Sequence, residues 1–264
     1  MLIVVKTAMG KVFAGFLIGL GTLLRPEFIL FLPSFLVYEM SSRQRTRKTI
    51  YNFAIILITA SLFILPWIYR GYRLYHRFIF ISTSSTEHFW RGNNVNATGG
   101  ALTEDHRDMF SAADANFKLR IYSLDEIGRY DFFRDAAFSY IKSHPADFLK
   151  RTVKKFIYFW SFSPQTGTEY PFQWFLIYIV FYVILAFGFA MGIWAILRNR
   201  HTLVFPDIIL LMFFCLAVSA AHSLYYVEMR HRWMIEPILL AISSYGFVSI
   251  KRALPFLRRA QNDQ

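Results

Sequence analysis

Two arginines and two carboxylates crowd one short stretch, Glu228-Met-Arg230-His-Arg232 followed by Glu236-Pro237. A guanidinium grips phosphate oxygens through parallel hydrogen bonds and stays charged at any relevant pH. At a membrane boundary, where a lipid phosphate lies, Arg230 and Arg232 are therefore candidate phosphate ligands. The same residues could instead form an Arg–Glu pair that pins a turn. Arg25, in Arg25-Pro26-Glu27, is a third candidate, with helix capping as its plainer alternative.

A second stretch, Ser82 to Gly100 (STSSTEHFWRGNNVNATGG), is rich in glycine and asparagine. Both residues tolerate left-handed backbone, so Gly92-Asn93-Asn94 and Thr98-Gly99-Gly100 predict two tight turns. Such turns can aim backbone N–H groups at a phosphate or a sugar hydroxyl, or merely redirect a loop.

Other chemistry is sparser. Glu104-Asp105-His106-Arg107-Asp108 is dense in ligand-type side chains but has no HExxH or CxxC spacing. It reads as a solvated helix start. The histidines include no i, i+4 pair, and His222 reads either as a buried polar contact or as a pocket lining. Asp105 with Asp108, and Asp131 with Asp135, could do acid–base work, although charge on a helix face explains them as well. No nucleophile stands in a recognisable triad, so the catalytic residue stays unassigned. The residues name no cofactor and leave a divalent metal open.

The elements that must position these groups are mostly apolar. The 264 residues are 55% hydrophobic and only 17% charged, against roughly a quarter charged in soluble domains. Mean hydropathy is +0.35. The net charge of +12 gathers at the ends of apolar runs, which points to orientation signals and lipid head groups and excludes nucleic acid. Cys215 is the one cysteine, so no disulfide forms within the chain.

Along the chain, Val12 to Leu24 and Phe28 to Met40 are short apolar halves meeting at Arg25-Pro26. Lys6 and Lys11 precede them and Arg43, Arg45, Arg47 and Lys48 follow, so both ends are expected inside and the apex outside. Ile50 to Tyr69, Phe172 to Leu197, Phe205 to Tyr226 and Trp233 to Ile250 predict four full spans. Arg198, Arg200, His201, Lys251, Arg252, Arg258 and Arg259 mark the inner side. Arg230 and Arg232 break that rule, a hint of function. The expected fold is an all-α polytopic membrane protein, with about four full spans, a short N-terminal helix pair and a helical outer-face insert. The expected division is 1–69, 70–171 and 172–264.

Within the insert, Ser123-Leu-Asp-Glu126 predicts a capping box and Pro145 a helix start. From there Leu149, Val153, Phe156, Ile157 and Trp160 form one face, and Lys150, Arg151, Lys154 and Lys155 the other. This pattern predicts an amphipathic helix on the membrane surface, its basic side toward anionic head groups.

The ordered segments GFLIGLGTLLRPEFILFLPSFL, ILPWIYRGY, ISTSSTEHFWRGNNVNATGG, YIKSHPADFLKRTVKKFIYFW and EMRHRWMIEPILL span nearly the whole chain. Together they resemble the C-terminal half of GT-C glycosyltransferases, the membrane enzymes related to protein O-mannosyltransferases and aminoarabinose lipid A transferases. The resemblance implies a polyprenyl-phosphate-linked sugar as donor and transfer to an acceptor on the outer face. It makes Gly92, Asn93, Asn94 and Gly99 the outer-loop motif, Arg230, Arg232, Glu236 and Pro237 the outer arginine segment, and Arg25-Pro26 the Arg-Pro break. The family's catalytic carboxylate lies in a first outer loop that nothing upstream of Lys11 could hold. The expectation is therefore the C-terminal portion of such an enzyme, binding the carrier without transferring alone, with a separate N-terminal half as a candidate partner. Membrane lipids are further partners, and a multi-pass protein of the plasma (inner) membrane in the cell envelope is the expected setting. The rival reading is a non-catalytic membrane subunit binding lipid or a partner protein. A transporter is third, since Asp207 is nearly alone among ionisable residues within the spans.

Overall fold

The computed structural model describes residues 7–41, 46–161, 171–198 and 205–253. Lys6, Arg43, Arg45, Arg200, His201, Arg258 and Arg259, part of the charge pattern above, lie outside the described residues. Helix α1 (Ala8–Leu24) starts where Thr7 accepts the Gly10 N–H at 3.0 Å. It stops at Arg25, whose backbone is extended, because a residue preceding proline is pushed away from the α region. A short 3-10 helix, Pro26–Leu30, turns the chain into α2 (Phe31–Ser41). The expected helix pair and its Arg-Pro junction are thus present.

Helix α3 (Thr46–Tyr75) runs past the expected end at Tyr69, with Pro66 inside it. Gly15 and Gly19 let α1 press directly on α3: an added Cβ would lie 2.7 Å from the Ile56 carbonyl and 2.9 Å from that of Ala60. Small residues at four-residue spacing are the usual means of such backbone approach in lipid.

The insert is helical, as expected, but its elements differ in detail. Part of the supposed loop is helix α4 (Ser85–Gly92), and α5 (Ala115–Ser123) follows. Helix α6 (Glu126–Ser143) is capped by Asp125, which accepts the Gly128 N–H at 2.7 Å. The Ser123 hydroxyl instead donates back to the Arg120 carbonyl, so the Ser123 capping box does not form. Pro145 opens α7 (Pro145–Trp160) as expected. Glu104 to Asp108 starts no helix; Leu102 and Asp108 bridge across a tight turn there. Trp90, Met109, Ile121, Phe133 and Ala137 form the insert's small core, with Trp90 stacked on Phe117 at 4.8 Å.

Helix α8 (Phe172–Arg198), α9 (Phe205–Leu224), a 3-10 helix at Met229–Met234 and α10 (Glu236–Ala253) complete the described chain. Gly188 and Gly192 seat α10: a Cβ on either would fall 2.0 Å from Ser243 Oγ or 2.2 Å from the Ile242 carbonyl. Among the described residues, three helices are long and apolar enough to cross a membrane, Arg47–Tyr75, Phe172–Arg198 and Asp207–Leu224. Ile177, Val183 and Phe187 of α8 are all more than half exposed, which water would oppose and acyl chains accept. The chain is an all-α membrane protein, with no strand among the described residues.

The chain divides into two compact units, Met1–Gly167 with Pro206–Glu228, and Thr168–Phe205 with Met229–Gln264. This cuts across the expected three-part division, because the N-terminal helices, the insert and α9 belong to one unit. Within it, Lys155 ties the insert's loop to the segment just beyond α9.

Candidate functional site

In the first unit the loop after α4 is a buried junction. Gly92, Asn93, Asn94, Thr98, Gly99 and Gly100 are all buried. Asn93 Nδ2 donates to the Phe89 and Leu224 carbonyls, each at 2.8 Å, and Asn94 Nδ2 to the Trp90 carbonyl at 2.8 Å. The Val227 N–H reaches the Gly99 carbonyl at 3.1 Å. Gly92 is a glycine because the backbone beyond α9 passes so close that a Cβ would sit 1.6 Å from the Tyr225 carbonyl oxygen. Gly99 adopts φ +99°, the left-handed turn that the sequence predicts. The side-chain donors of this motif are directed into the protein.

Helix α7 supplies the cations that close the junction. Lys155 is fully buried, and an ammonium has three N–H bonds to place. Its Nζ lies 3.1 Å from the Gly92 carbonyl, 3.1 Å from Asn93 Oδ1 and 2.8 Å from the Tyr225 carbonyl. Burial pushes its pKa down to about 7, and the Arg151 cation acts in the same direction. One turn earlier, Arg151 Nη1 donates to the Asn94 carbonyl at 2.6 Å while its Nε pairs with Asp147 at 2.8 Å. One turn later, Phe159 stacks on the His222 ring, 5.8 Å between centroids. Lys155 and Arg151 thus face inward, correcting the expectation that they turn toward head groups. Buried carbonyl oxygens demand donors, and these two side chains deliver them.

His222 is a half-buried polar contact. Its Nε2 lies 3.4 Å from Glu27 Oε1, joining the 3-10 turn after Arg25 to the last turn of α9. Glu27 Oε2 is buried and accepts no hydrogen bond. Arg25 itself is exposed. Three of the insert's carboxylates are held by arginines: Asp108 by Arg91 at 2.6 Å, Asp105 by Arg107, and Asp131 by Arg77 and Arg134. Burial would raise the Asp108 carboxyl, but Arg91 outweighs it and holds the pKa below the usual range. Among the described residues no group of three or more His, Cys, Asp or Glu could hold a metal.

In the second unit a cavity of about 410 Å³ opens against α8 and the 3-10 helix at Met229–Met234. Trp174, Phe175, Tyr178, Phe181 and Trp233 make its walls, and Arg230 lines it as well. Arg230 is exposed. Its size falls in the range of small-ligand pockets, which are apolar with a few placed polar groups. Arg232 has a different setting, 3% exposed and caged by tyrosines. Its Nη2 donates to the Tyr178 hydroxyl at 2.7 Å, and the guanidinium carbon lies 4.3 Å from the Tyr182 ring centre. Burial lowers its pKa. Glu236 opens α10.

Of the residues singled out in the sequence, Arg230 and Arg232 share one short segment but serve different surroundings. Gly92, Asn93, Asn94 and Gly99 gather around α7 in the first unit, where Arg25 also resides. The sequence named Lys155 and Glu27 but not the contacts they make, and it did not mark the cavity aromatics as a site. The cluster Phe172-Gln-Trp174-Phe175 at the start of a span is the signal that could have found the last. Comparison with known protein families, with curated proteins and with solved structures gives no match.

Proposed function

We propose that this chain binds the phosphate of a polyprenyl-linked sugar carrier, as the C-terminal portion of a membrane glycosyltransferase. The observation that carries the reading is the aromatic cavity with exposed Arg230 on its lining. A sugar-linked isoprenoid phosphate presents an apolar, branched tail beside a singly charged phosphodiester. Aromatic walls suit the first, and a guanidinium suits the second. Arg232 then acts as a positioning residue, its tyrosine cage fixing the segment that carries Arg230.

In the transfer that this reading implies, an acceptor oxygen bonds to the sugar's anomeric carbon as the bond to the carrier phosphate breaks. Arg230 takes up charge on the departing phosphate. The acceptor proton needs a base, which this reading assigns to a separate N-terminal half, so the proposed role of this chain is carrier binding. The finer topology belongs to the same proposal. Helix α10 is the fourth span, α1 and α2 form a pair with Arg25 at an outer apex, and the insert lies outside a plasma (inner) membrane.

Binding of a fluorescent polyprenyl-phosphate analogue to the purified chain tests the reading. Arg230→Ala should weaken it by roughly tenfold to a hundredfold, the worth of one charge-assisted contact. The second reading is a non-catalytic membrane subunit binding lipid or a partner protein, favoured by the burial of Gly92, Asn93, Asn94 and Gly99. It expects no saturable binding of the analogue.

A further inference from the structure

Arg151, Lys155 and Phe159 turn one side of α7 into the first unit. On the opposite side Leu149, Val153 and Ile157 are 65%, 55% and 56% exposed, with Phe156 beside them at 36%. Their spacing places all four on one continuous ridge. Lys150 and Lys154, four residues apart and both exposed, follow one edge of it. Lys154 Nζ lies 5.3 Å from the Tyr158 ring centre. An apolar ridge edged by ammonium groups suits a helix lying in the plane of a bilayer, with lysine stems along the acyl chains and their heads among phosphates.

The height of the helix supports the same partner. Lys155 bonds the carbonyl of Tyr225, the first residue beyond α9, and Phe159 stacks on His222 in the last turn of α9. Since α9 carries one of the three membrane-length segments, α7 is level with the end of a span, where head groups lie.

We propose that α7 docks on an anionic phospholipid surface, with Leu149, Val153, Phe156 and Ile157 among acyl chains and Lys150 and Lys154 on lipid phosphates. The same helix holds the Asn94 and Gly92 carbonyls through Arg151 and Lys155, so docking fixes the height of that junction above the bilayer. The proposal does not depend on the carrier reading.

The test uses the full chain with Cys215→Ser, in nanodiscs mixing phosphatidylglycerol and phosphatidylcholine, one or the other brominated on its acyl chains. An environment-sensitive dye is attached at Val153→Cys, or at Leu119→Cys on α5 as a reference. Bromolipid should quench the Val153 dye at least about threefold more than the Leu119 dye, as an interfacial ridge requires. Brominated phosphatidylglycerol should quench it more than brominated phosphatidylcholine. That preference should vanish in Lys150→Glu/Lys154→Glu, with the melting temperature unchanged because both side chains are exposed. A Val153 dye open to iodide and untouched by bromolipid would overturn the docking. A dye shielded from both would assign the ridge to a protein partner and overturn it equally. Equal quenching by the two lipids would overturn the anionic preference.

Discussion

Lys155 Nζ donates to the Tyr225 carbonyl across 2.8 Å, tying the middle of a surface helix to the end of a membrane-length one. The same ammonium holds Gly92 and Asn93, so one side chain fastens three segments distant in sequence.

Lys155→Met should therefore leave three oxygens without this donor and destabilise the fold by about 1–3 kcal/mol for each one that stays unsatisfied. The pH dependence has a definite sign. The folded pKa is about 7, below the roughly 10.4 of an unfolded lysine. Between these values the unfolded chain binds more protons, so the burial penalty, full below pH 7, is relieved as pH rises. Stability of the parent should climb from pH 7 toward pH 10 at up to about 1.4 kcal/mol per unit from this group. Denaturation in detergent at several pH values should show the climb, and Lys155→Met or Lys155→Ala should lack it.

Gly92→Ala places a methyl group 1.6 Å from a backbone oxygen. Neither partner can swing aside as a side chain would, so a loss of about 3 kcal/mol or more is expected. Gly71→Ala is the control. Its nearest contact would be at 3.9 Å inside α3, where a gain of about 0.4–1 kcal/mol is expected. Equal melting temperatures for the two variants would contradict the close approach.

Glu27 and His222 should be energetically coupled. Glu27→Gln, His222→Ala and the double variant, compared by unfolding free energy, should give an interaction of about 1.5–3 kcal/mol. Additive losses would mean that the contact adds nothing to the junction of α9 with the Arg-Pro turn.

Sidedness follows from the charge pattern. With Cys215→Ser, a cysteine at Leu119, 68% exposed on α5, should react with an impermeant maleimide in intact cells. A cysteine at Ser41, exposed at the end of α2, should react only after permeabilisation. The reverse pattern would invert the proposed topology.

The membrane-length helices were legible in the sequence because a bilayer demands long apolar runs, whatever packs against them. The Arg25-Pro26 break and the Pro145 start were legible for a local reason, since proline constrains the backbone beside it. The direction of Lys155 was not. An amphipathic stripe marks the apolar side of α7, but no local signal says that carbonyls of Gly92 and Tyr225 wait on the other side. Gly92 shows the same limit. Its type suggested a turn with free N–H groups, whereas the distant Tyr225 backbone is what requires it. Asp125 took the cap from Ser123 because Ser123 is the last residue of α5, its hydroxyl bonded to Arg120.

The central claim is that Arg230, on the lining of the aromatic cavity, receives a carrier phosphate, and titration of a polyprenyl-phosphate analogue into purified chain tests it most directly. Parent protein should bind saturably, and Arg230→Ala should weaken binding per folded molecule by roughly tenfold to a hundredfold. Arg230→Lys should recover only part of the affinity, because an ammonium cannot make the planar two-point contact. Affinity unaltered in Arg230→Ala, or the absence of saturable binding by the parent, would contradict the account.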